Sequence, residues 1–146
     1  MPTIDVTSPL DAPAEVVYDW HARPGAFERL TPPWAPVRLE SFEGIEDGDR
    51  AVLRIGLGSL SLRWVAEHYD GIEGRQFCDR QVQGPFPHWE HTHRFYEDDG
   101  ETLLSDRIEY ELPFGEIGEF VAEFGDLGFE PMFRARHRRT KQLLEG

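Results

Sequence analysis

Residues 8–34 read SPLDAPAEVVYDWHARPGAFERLTPPW, and the elements that this stretch predicts restrict the fold more than any other part of the chain. Apolar and polar side chains alternate over residues 4–8, which predicts a strand that Pro9 ends. Asp11 is placed to cap a helix with Pro13 in its first turn, because a carboxylate there can accept from free backbone N–H groups. The chain therefore begins with a strand that leads directly into a helix.

A second short helix is predicted immediately after the first. Pro24-Gly25 interrupts the helical pattern, a new helix follows around Ala26–Leu30, and the Thr-Pro-Pro sequence at residues 31–33 ends it. One strand followed by two short helices in succession is an unusual order, and it is therefore informative.

The segment from residue 37 to residue 112 alternates between strands and turns. Turns are predicted at Gly58-Ser59, Gly74, Gly84-Pro85 and Asp98-Asp99-Gly100. They separate six strands, at residues 37–39, 51–57, 60–70, 76–83, 88–96 and 102–112. Because every connection is short, these six strands and the N-terminal one should form a seven-stranded antiparallel sheet.

The C-terminal segment, residues 115–146, has the periodicity of a long helix. Apolar residues recur at helical spacing, at Ile117, Phe120, Val121, Phe124, Leu127 and Leu143. Gly125, Gly128 and Pro131 should bend or break the helix in its middle. The second half carries a run of cations, Arg134, Arg136, Arg138, Arg139 and Lys141, and we interpret this run as a solvated helix end.

Composition excludes several classes of function. The formal charge is −13, from 28 acidic against 15 basic residues, which argues against nucleic acid and anionic membranes as partners. No apolar run approaches the ~20 residues that span a bilayer and no signal-peptide pattern is present, so we expect a cytoplasmic protein without membrane insertion. Cys78 is the only cysteine. We find no phosphate loop, nucleotide fingerprint or nucleophile elbow, and expect no cofactor.

The order of elements, β-α-α-β6-α, resembles the helix-grip fold of the SRPBCC or START-like superfamily, which includes lipid-transfer domains and polyketide cyclases. The resemblance covers essentially the whole chain, including the opening stretch at residues 8–34. The segments FCDRQVQGPFPHWEHTHRF at residues 77–95 and LLSDRIEYELPFG at residues 103–115 resemble one bacterial and archaeal subgroup more closely. Members of that subgroup occur alone or fused to an epimerase-like domain, so the resemblance implies an epimerase-like protein as one candidate partner.

The resemblance implies an α+β fold in which a long C-terminal helix crosses a strongly curved seven-stranded antiparallel sheet. Residues 1–146 should then form a single domain, with a cavity between the sheet and the helix. Such a cavity would take a small hydrophobic ligand. The oligomeric state is not readable from the sequence.

Strand alternation indicates which side chains face that cavity, because successive residues point to opposite faces. In the strand at 88–96, Trp89, His91, His93 and Phe95 share a face with two large aromatic rings, so this face should point inward. His88 lies on the other face with Glu90 and Arg94, and should be solvated. The same test, with the aromatic stripe of the helix, predicts ligand-binding residues Trp64, Asp79, Gln81, Trp89, His91, His93, Phe95, Asp106, Tyr110, Phe120 and Phe124.

Three interpretations of the inward polar residues remain open. Two imidazoles, two carboxylates and an amide on adjacent strands can form a closed hydrogen-bonded network, and buried polar groups need such partners. The same network can also hold the polar end of a ligand. A metal site is the weakest of the three, although His91 and His93 point the same way and Asp79 or Asp106 could supply a third ligand; we expect no metal.

The leading functional hypothesis is binding of a small hydrophobic or amphipathic molecule, such as a lipid, fatty acid, isoprenoid or polycyclic aromatic compound. The alternative is an enzyme of the cyclase/aromatase kind, in which His91 or His93 acts as acid or base and Asp106 or Asp79 orients it. A further alternative is an accessory module that acts through its surface on an epimerase-like partner. No catalytic residue can be assigned from the sequence.

Overall fold

The computed structural model describes residues 3–31, 37–56, 61–111 and 115–145, with side chains described except at Asp98 and at residues 115–129. The elements are β1 (Thr3–Leu10), α1 (Ala14–Ala22), α2 (Ala26–Leu30), β2 (Val37–Phe42), β3 (Arg50–Ile55), β4 (Leu62–Ile72), β5 (Gln76–Gln83), β6 (His88–Asp98), β7 (Glu101–Glu111) and α3 (Gly115–Glu145). The predicted order of strands and helices is confirmed. The turn predicted at Gly58-Ser59 lies outside the described residues.

The seven strands form one curved antiparallel sheet in the order β1-β7-β6-β5-β4-β3-β2. Only the first strand departs from chain order, because it pairs with the last one along the full length of β1. The β6–β7 turn has two successive residues with positive φ, Asp99 at 51° and Gly100 at 82°. Two such residues match the twist of a tight antiparallel hairpin. The helix-grip α+β fold is thereby confirmed.

The helices pack on one face of this sheet. Val17 of α1 is fully buried in a cluster with Phe77, Phe95 and Leu104 from the central strands. Leu30 of α2 is also buried and packs beside the C-terminal turns of α3. The inward face of β5, β6 and β7 therefore lies against helices rather than water. Among the described helices, none is both long and apolar enough to cross a lipid bilayer.

Two local predictions are wrong, and a third is wrong in part. Pro9 does not end β1, which continues to Leu10 and pairs with β7 there. Asp11 does not cap α1: Pro13 is the N-cap residue and no side chain caps the helix, while the Asp11 backbone N–H donates to the Glu145 carboxylate. Of the two alternatives predicted for the C-terminal helix, a bend or a break, the break is excluded because α3 continues through Pro131. Proline removes one backbone hydrogen bond. Burial of Phe133 and His137 in the following turns compensates, because packing against the interior stabilises this part of the helix.

The turn at residues 84–87 agrees with its predicted structural role. Phe86 is buried and packs against Trp64 and Trp89, while the backbone N–H and C=O of Phe86 are both bound by the Gln81 amide. A β-carbon at Gly84 would lie 2.7 Å from the Trp64 ring, so the close approach requires glycine.

Candidate functional site

A cavity of about 130 Å³ lies between the sheet and the helices. Its walls are mostly apolar and include Leu30, Leu53, Ile55, Trp64, Ala66 and Phe133. Among the described residues, the polar side chains that reach it are His21, Thr31, His68, Asp79, His91, His93 and Arg136. An apolar cavity with a few convergent polar groups is the usual form of a small-molecule site.

The registers of three adjacent strands bring the polar side chains together. Asp79 of β5 lies opposite His91 of β6, and His93 of β6 lies opposite Asp106 of β7. Since residues two apart on a strand share a face, all four side chains point to the same side of the sheet. The two histidines are 5% and 7% exposed, whereas His88 is only half-buried, so the predicted strand faces are confirmed.

His93 connects the two carboxylates of this cluster. Its Nδ1 lies 2.8 Å from Asp106 Oδ1, and its Nε2 lies 3.0 Å from Asp79 Oδ2. Carboxylates only accept hydrogen bonds, so a ring that lies between two of them is favoured in its doubly protonated form. Burial alone lowers the pKa of His93, but the charges and hydrogen bonds of Asp106 and Asp79 outweigh it and raise the pKa above its usual value.

The pKa of His91 is shifted in the opposite direction. Its Nε2 donates to Asp106 Oδ1 at 2.7 Å, while its Nδ1 lies 3.6 Å from Asp79 Oδ2, too far for a hydrogen bond. Burial and the neighbouring His93 charge lower the pKa of His91, although Asp79 and Asp106 oppose them. The two imidazoles therefore have pKa values shifted in opposite directions, and their ring centroids are 3.6 Å apart.

Asp106 is the central acceptor of the network. Its Oδ1 accepts from His91 and His93, and its Oδ2 accepts from Nε2 of His137 on α3. His137 in turn places its Nδ1 2.8 Å from Ser8 Oγ on β1. Burial raises the pKa of the Asp106 carboxyl, but the His93 charge and the three donated hydrogen bonds hold it well below its usual range. Burial also raises the pKa of Asp79, but His91 and His93 outweigh burial and lower that pKa.

Two more histidines reach the cavity from other directions. His21 of α1 places its Nδ1 2.8 Å from the Val17 carbonyl, and burial lowers the pKa of His21 to about 4. His68 of β4 places its Nδ1 2.9 Å from the Asp49 carbonyl. A carbonyl only accepts, so in both rings Nδ1 carries a proton, and His21 is neutral at neutral pH.

Arg136 of α3 belongs to the cavity wall and is not part of a solvated helix end. Its guanidinium lies over the Phe27 ring at 5.4 Å and near the Phe133 ring at 6.0 Å. Burial lowers the pKa of Arg136, while Asp106 and Asp79 act in the opposite direction. The interpretation of residues 134–141 as a solvated run was therefore wrong at this position, because Arg136 lies one helical turn beyond buried Phe133.

The predicted ligand-binding residues divide into three groups. Five of them line the cavity: Trp64, Asp79, Trp89, His91 and His93. Four do not line it: Asp106 lies beneath the two imidazoles, Gln81 binds the turn at Phe86, Phe95 packs against Tyr18 and Phe77, and Tyr110 packs beside Phe86 and Trp89. The remaining two, Phe120 and Phe124, have side chains outside the described residues.

Sequence reasoning missed His21, His137 and Arg136. Val17 and His21 lie four residues apart on α1, and Phe133, His137 and Thr140 follow the same helical spacing on α3. That spacing could have placed His137 on a buried face. It was obscured because the basic residues around His137 suggested a solvated helix.

The cluster also contains a donor set of a kind that binds metals. Ligand atoms of Asp79, His91 and His93 all lie within 4.8 Å of one another. The ring nitrogens facing Asp106 would then make outer hydrogen bonds, as is common around a metal-bound histidine. A proton on His93 accounts for the same close arrangement as a metal ion would, because His93 Nε2 is hydrogen-bonded to Asp79 Oδ2.

Comparison with known proteins identifies the family. The polyketide cyclase / dehydrase and lipid transport family matches residues 10–137. This chain belongs to that family. The match spans the strands from β2 to β7 and most of α3, so it includes Asp79, His91, Asp106 and His137 of the cluster.

Several solved structures share the fold. A nucleoside-diphosphate sugar epimerase from Corynebacterium glutamicum is 28% identical with a TM-score of 0.75; the match covers 97% of this chain and 29% of that chain. The Zhui aromatase/cyclase from Streptomyces is 19% identical with a TM-score of 0.74, covering 99% of this chain and 93% of that one. A START superfamily protein from Mycobacterium smegmatis is 19% identical with a TM-score of 0.64, covering 97% and 98%.

The extent of these matches limits what they imply. The chain spans less than a third of the epimerase structure that it resembles. The other two structures show the fold alone at their level of identity. No curated protein sequence matches the chain.

Proposed function

We propose that this protein binds a small hydrophobic or amphipathic molecule in the cavity, with the His–Asp cluster facing the polar end of the molecule. The observation that carries the proposal is the division of the cavity wall. Leu53 and Ile55 of β3 supply an apolar side, and His91 and His93 of β6 supply a polar side. A ligand with an apolar body and one polar end would match both sides.

The cavity volume sets the size of ligand that fits without rearrangement. A protein cavity of ~150 Å³ holds one benzene molecule, and this cavity has a volume of about 130 Å³. A fatty acid or a polycyclic compound would therefore require wall side chains to move. A ligand of about one ring would not.

Calorimetric titration of the purified protein would test the proposal. Decanoate, geraniol and naphthol represent the fatty-acid, isoprenoid and polycyclic classes. Benzoate and benzamide serve as one-ring probes. Native mass spectrometry of protein isolated from its own host would detect a retained ligand directly. We expect at least one probe or retained molecule to bind with one-to-one stoichiometry. Absence of binding for every probe and of any retained ligand would contradict the proposal.

A pair of matched variants would locate the binding to the cavity. Leu53→Trp adds volume inside the cavity, because Leu53 lines it and is buried. Leu103→Trp makes the same change on β7 at a residue that is 42% exposed. We expect the first variant to weaken binding at least tenfold and the second to leave it unchanged, with circular dichroism confirming that both fold.

A cyclase-like reaction is the second candidate, and the state of His91 favours it. The lowered pKa of His91 keeps its ring neutral, and Nδ1 has no hydrogen bond among the described residues. A neutral imidazole oriented by Asp106 could accept a proton from a ligand. Loss of turnover in His91→Gln with ligand binding retained would support an enzyme, whereas binding without turnover in the wild-type protein supports a carrier or sensor.

Association with an epimerase-like protein is a separate proposal that rests on the epimerase structure sharing this fold. Co-purification of such a protein from the native host is the result that would support it.

A further inference from the structure

Arg136 brings a cation to the cavity wall without a matching anion. Among the described residues, no carboxylate oxygen lies within ion-pair distance of its guanidinium, and no hydrogen bond from the guanidinium is formed. Arg134, two residues earlier on α3, is exposed and pairs with Glu130 at 2.8 Å. The contrast places an unpaired guanidinium on the inner side of the helix and a paired one on the outer side.

The aromatic neighbours of Arg136 satisfy only part of its requirements. The Phe27 and Phe133 rings, at 5.4 Å and 6.0 Å, stabilise the positive charge through their faces. They offer no acceptor for the five N–H donors of the guanidinium, which remains charged at all accessible pH values. Arg136 is half-buried and lines the cavity, so these donors are available to an acceptor that enters the cavity.

The carboxylates of the cluster do not supply that acceptor. Asp79 and Asp106 favour the charge of Arg136 through their electric field, but their hydrogen bonds come from His91, His93 and His137. An anion that enters beside Arg136 would therefore meet guanidinium donors that no described residue occupies.

We propose that the cavity takes a carboxylic acid with a small apolar body of about one aromatic ring, and that the carboxylate pairs with Arg136. The inference rests on the proposed ligand-binding function and adds the chemical class of the ligand. A planar guanidinium matches a carboxylate through two parallel hydrogen bonds. The volume of about 130 Å³ and the aromatic walls set the size of the body.

Titration with benzoate and with benzamide would test the charge requirement, because the two molecules have nearly the same shape and differ in charge. We expect the wild-type protein to bind benzoate at least tenfold more tightly than benzamide. Arg136→Met should abolish that preference by weakening benzoate binding at least tenfold, with benzamide binding little changed. Arg139→Met is the matched control, since Arg139 is exposed on the same helix and lies outside the cavity, and it should preserve the preference.

The possible outcomes separate this inference from the proposed function. Equal affinities for benzoate and benzamide in the wild-type protein would overturn the carboxylate assignment while leaving ligand binding intact, and this comparison does not depend on any variant folding. Arg136→Lys, which keeps the charge without the two-point geometry, should give an intermediate preference. Decanoate binding more tightly than benzoate would overturn the size class. Failure of every probe, together with no retained ligand, would instead count against the proposed function itself.

Discussion

The two sides of the cavity show how differently a polar and an apolar interior are stabilised. Leu53 on β3 and His93 on β6 are almost equally buried, at 5% and 7% exposed. Leu53 needs only neighbours of the right shape, because its side chain makes no directional contact. His93 needs two carboxylates at set distances, and these come from the strands on either side of it.

The difference predicts opposite responses to conservative substitution. An apolar wall tolerates exchange of one hydrophobic side chain for another of similar volume. A buried polar cluster does not tolerate the loss of one member, because every partner of that member is left unsatisfied. The following predictions test this comparison.

Asp106→Asn should cause the largest loss of stability. The amide cannot accept from three imidazoles at once, and its NH₂ group would face a ring N–H. Breaking a buried charged pair costs about 3 kcal/mol or more, whereas Leu53→Met should cost less than about 1.5 kcal/mol. Urea denaturation would measure both. Asp5→Asn, at an exposed position of β1, is the control and should have little effect.

The two buried histidines of β6 should be more sensitive than their exposed neighbour. His93→Ala removes the hydrogen bond to Asp79, and His91→Ala removes one of the three donors to Asp106, so each should cost roughly 1–3 kcal/mol. His88→Ala should remain within about 0.5 kcal/mol of the wild-type protein, because His88 is half-buried on the outer face. Equal losses for all three would mean that the cluster does not act as a network.

Imidazole NMR titration of the wild-type protein would test the same pair of residues directly. We expect the pKa of His93 above the usual histidine value, because Asp106 and Asp79 bind both of its nitrogens, and the pKa of His91 below that value, because burial and the His93 charge oppose protonation. The reverse order would contradict the assignment of the imidazolium to His93.

His21 should contribute a smaller, pH-dependent effect. Its pKa is lowered to about 4 in the folded protein, so the unfolded chain binds more protons between that value and the usual 6.5. The contribution of His21 to the free energy of unfolding therefore falls as the pH is lowered. Between roughly pH 8 and pH 5.5 the fall should be about 1 kcal/mol. His21→Phe removes the titrating group. The free energy of unfolding of the wild-type protein, minus that of the variant, should therefore be smaller at about pH 5.5 than at about pH 8 by the same amount.

Tyr18→Phe is the control for this measurement. Burial raises the pKa of the Tyr18 phenol, so the phenol does not titrate in the acid range. The difference in the free energy of unfolding between Tyr18→Phe and the wild-type protein should be the same at about pH 8 and at about pH 5.5. A parallel fall in this variant would show that the pH effect does not come from His21.

The amino-acid sequence by itself determined the strands, the order of the elements and the faces of β6. Alternation has a period of two residues, so one strand is enough to separate His91 and His93 from His88. Proline and glycine signals are local in the same way, and they placed α2 at Ala26–Leu30. These predictions succeeded because each depends on residues that are close together in the chain.

The tertiary structure alone decided which of these faces meet. Asp106 binds His137, which lies 31 residues later in the chain, and His137 contacts Ser8 on β1. Gln81 shares the inward face predicted for Asp79 but turns its amide to the backbone of Phe86. Arg136 belongs to a basic run in the sequence, yet packing of α3 against α2 places its guanidinium over Phe27. Strand pairing and helix packing join residues that are far apart in the chain. Local periodicity therefore does not indicate which of these residues will be in contact.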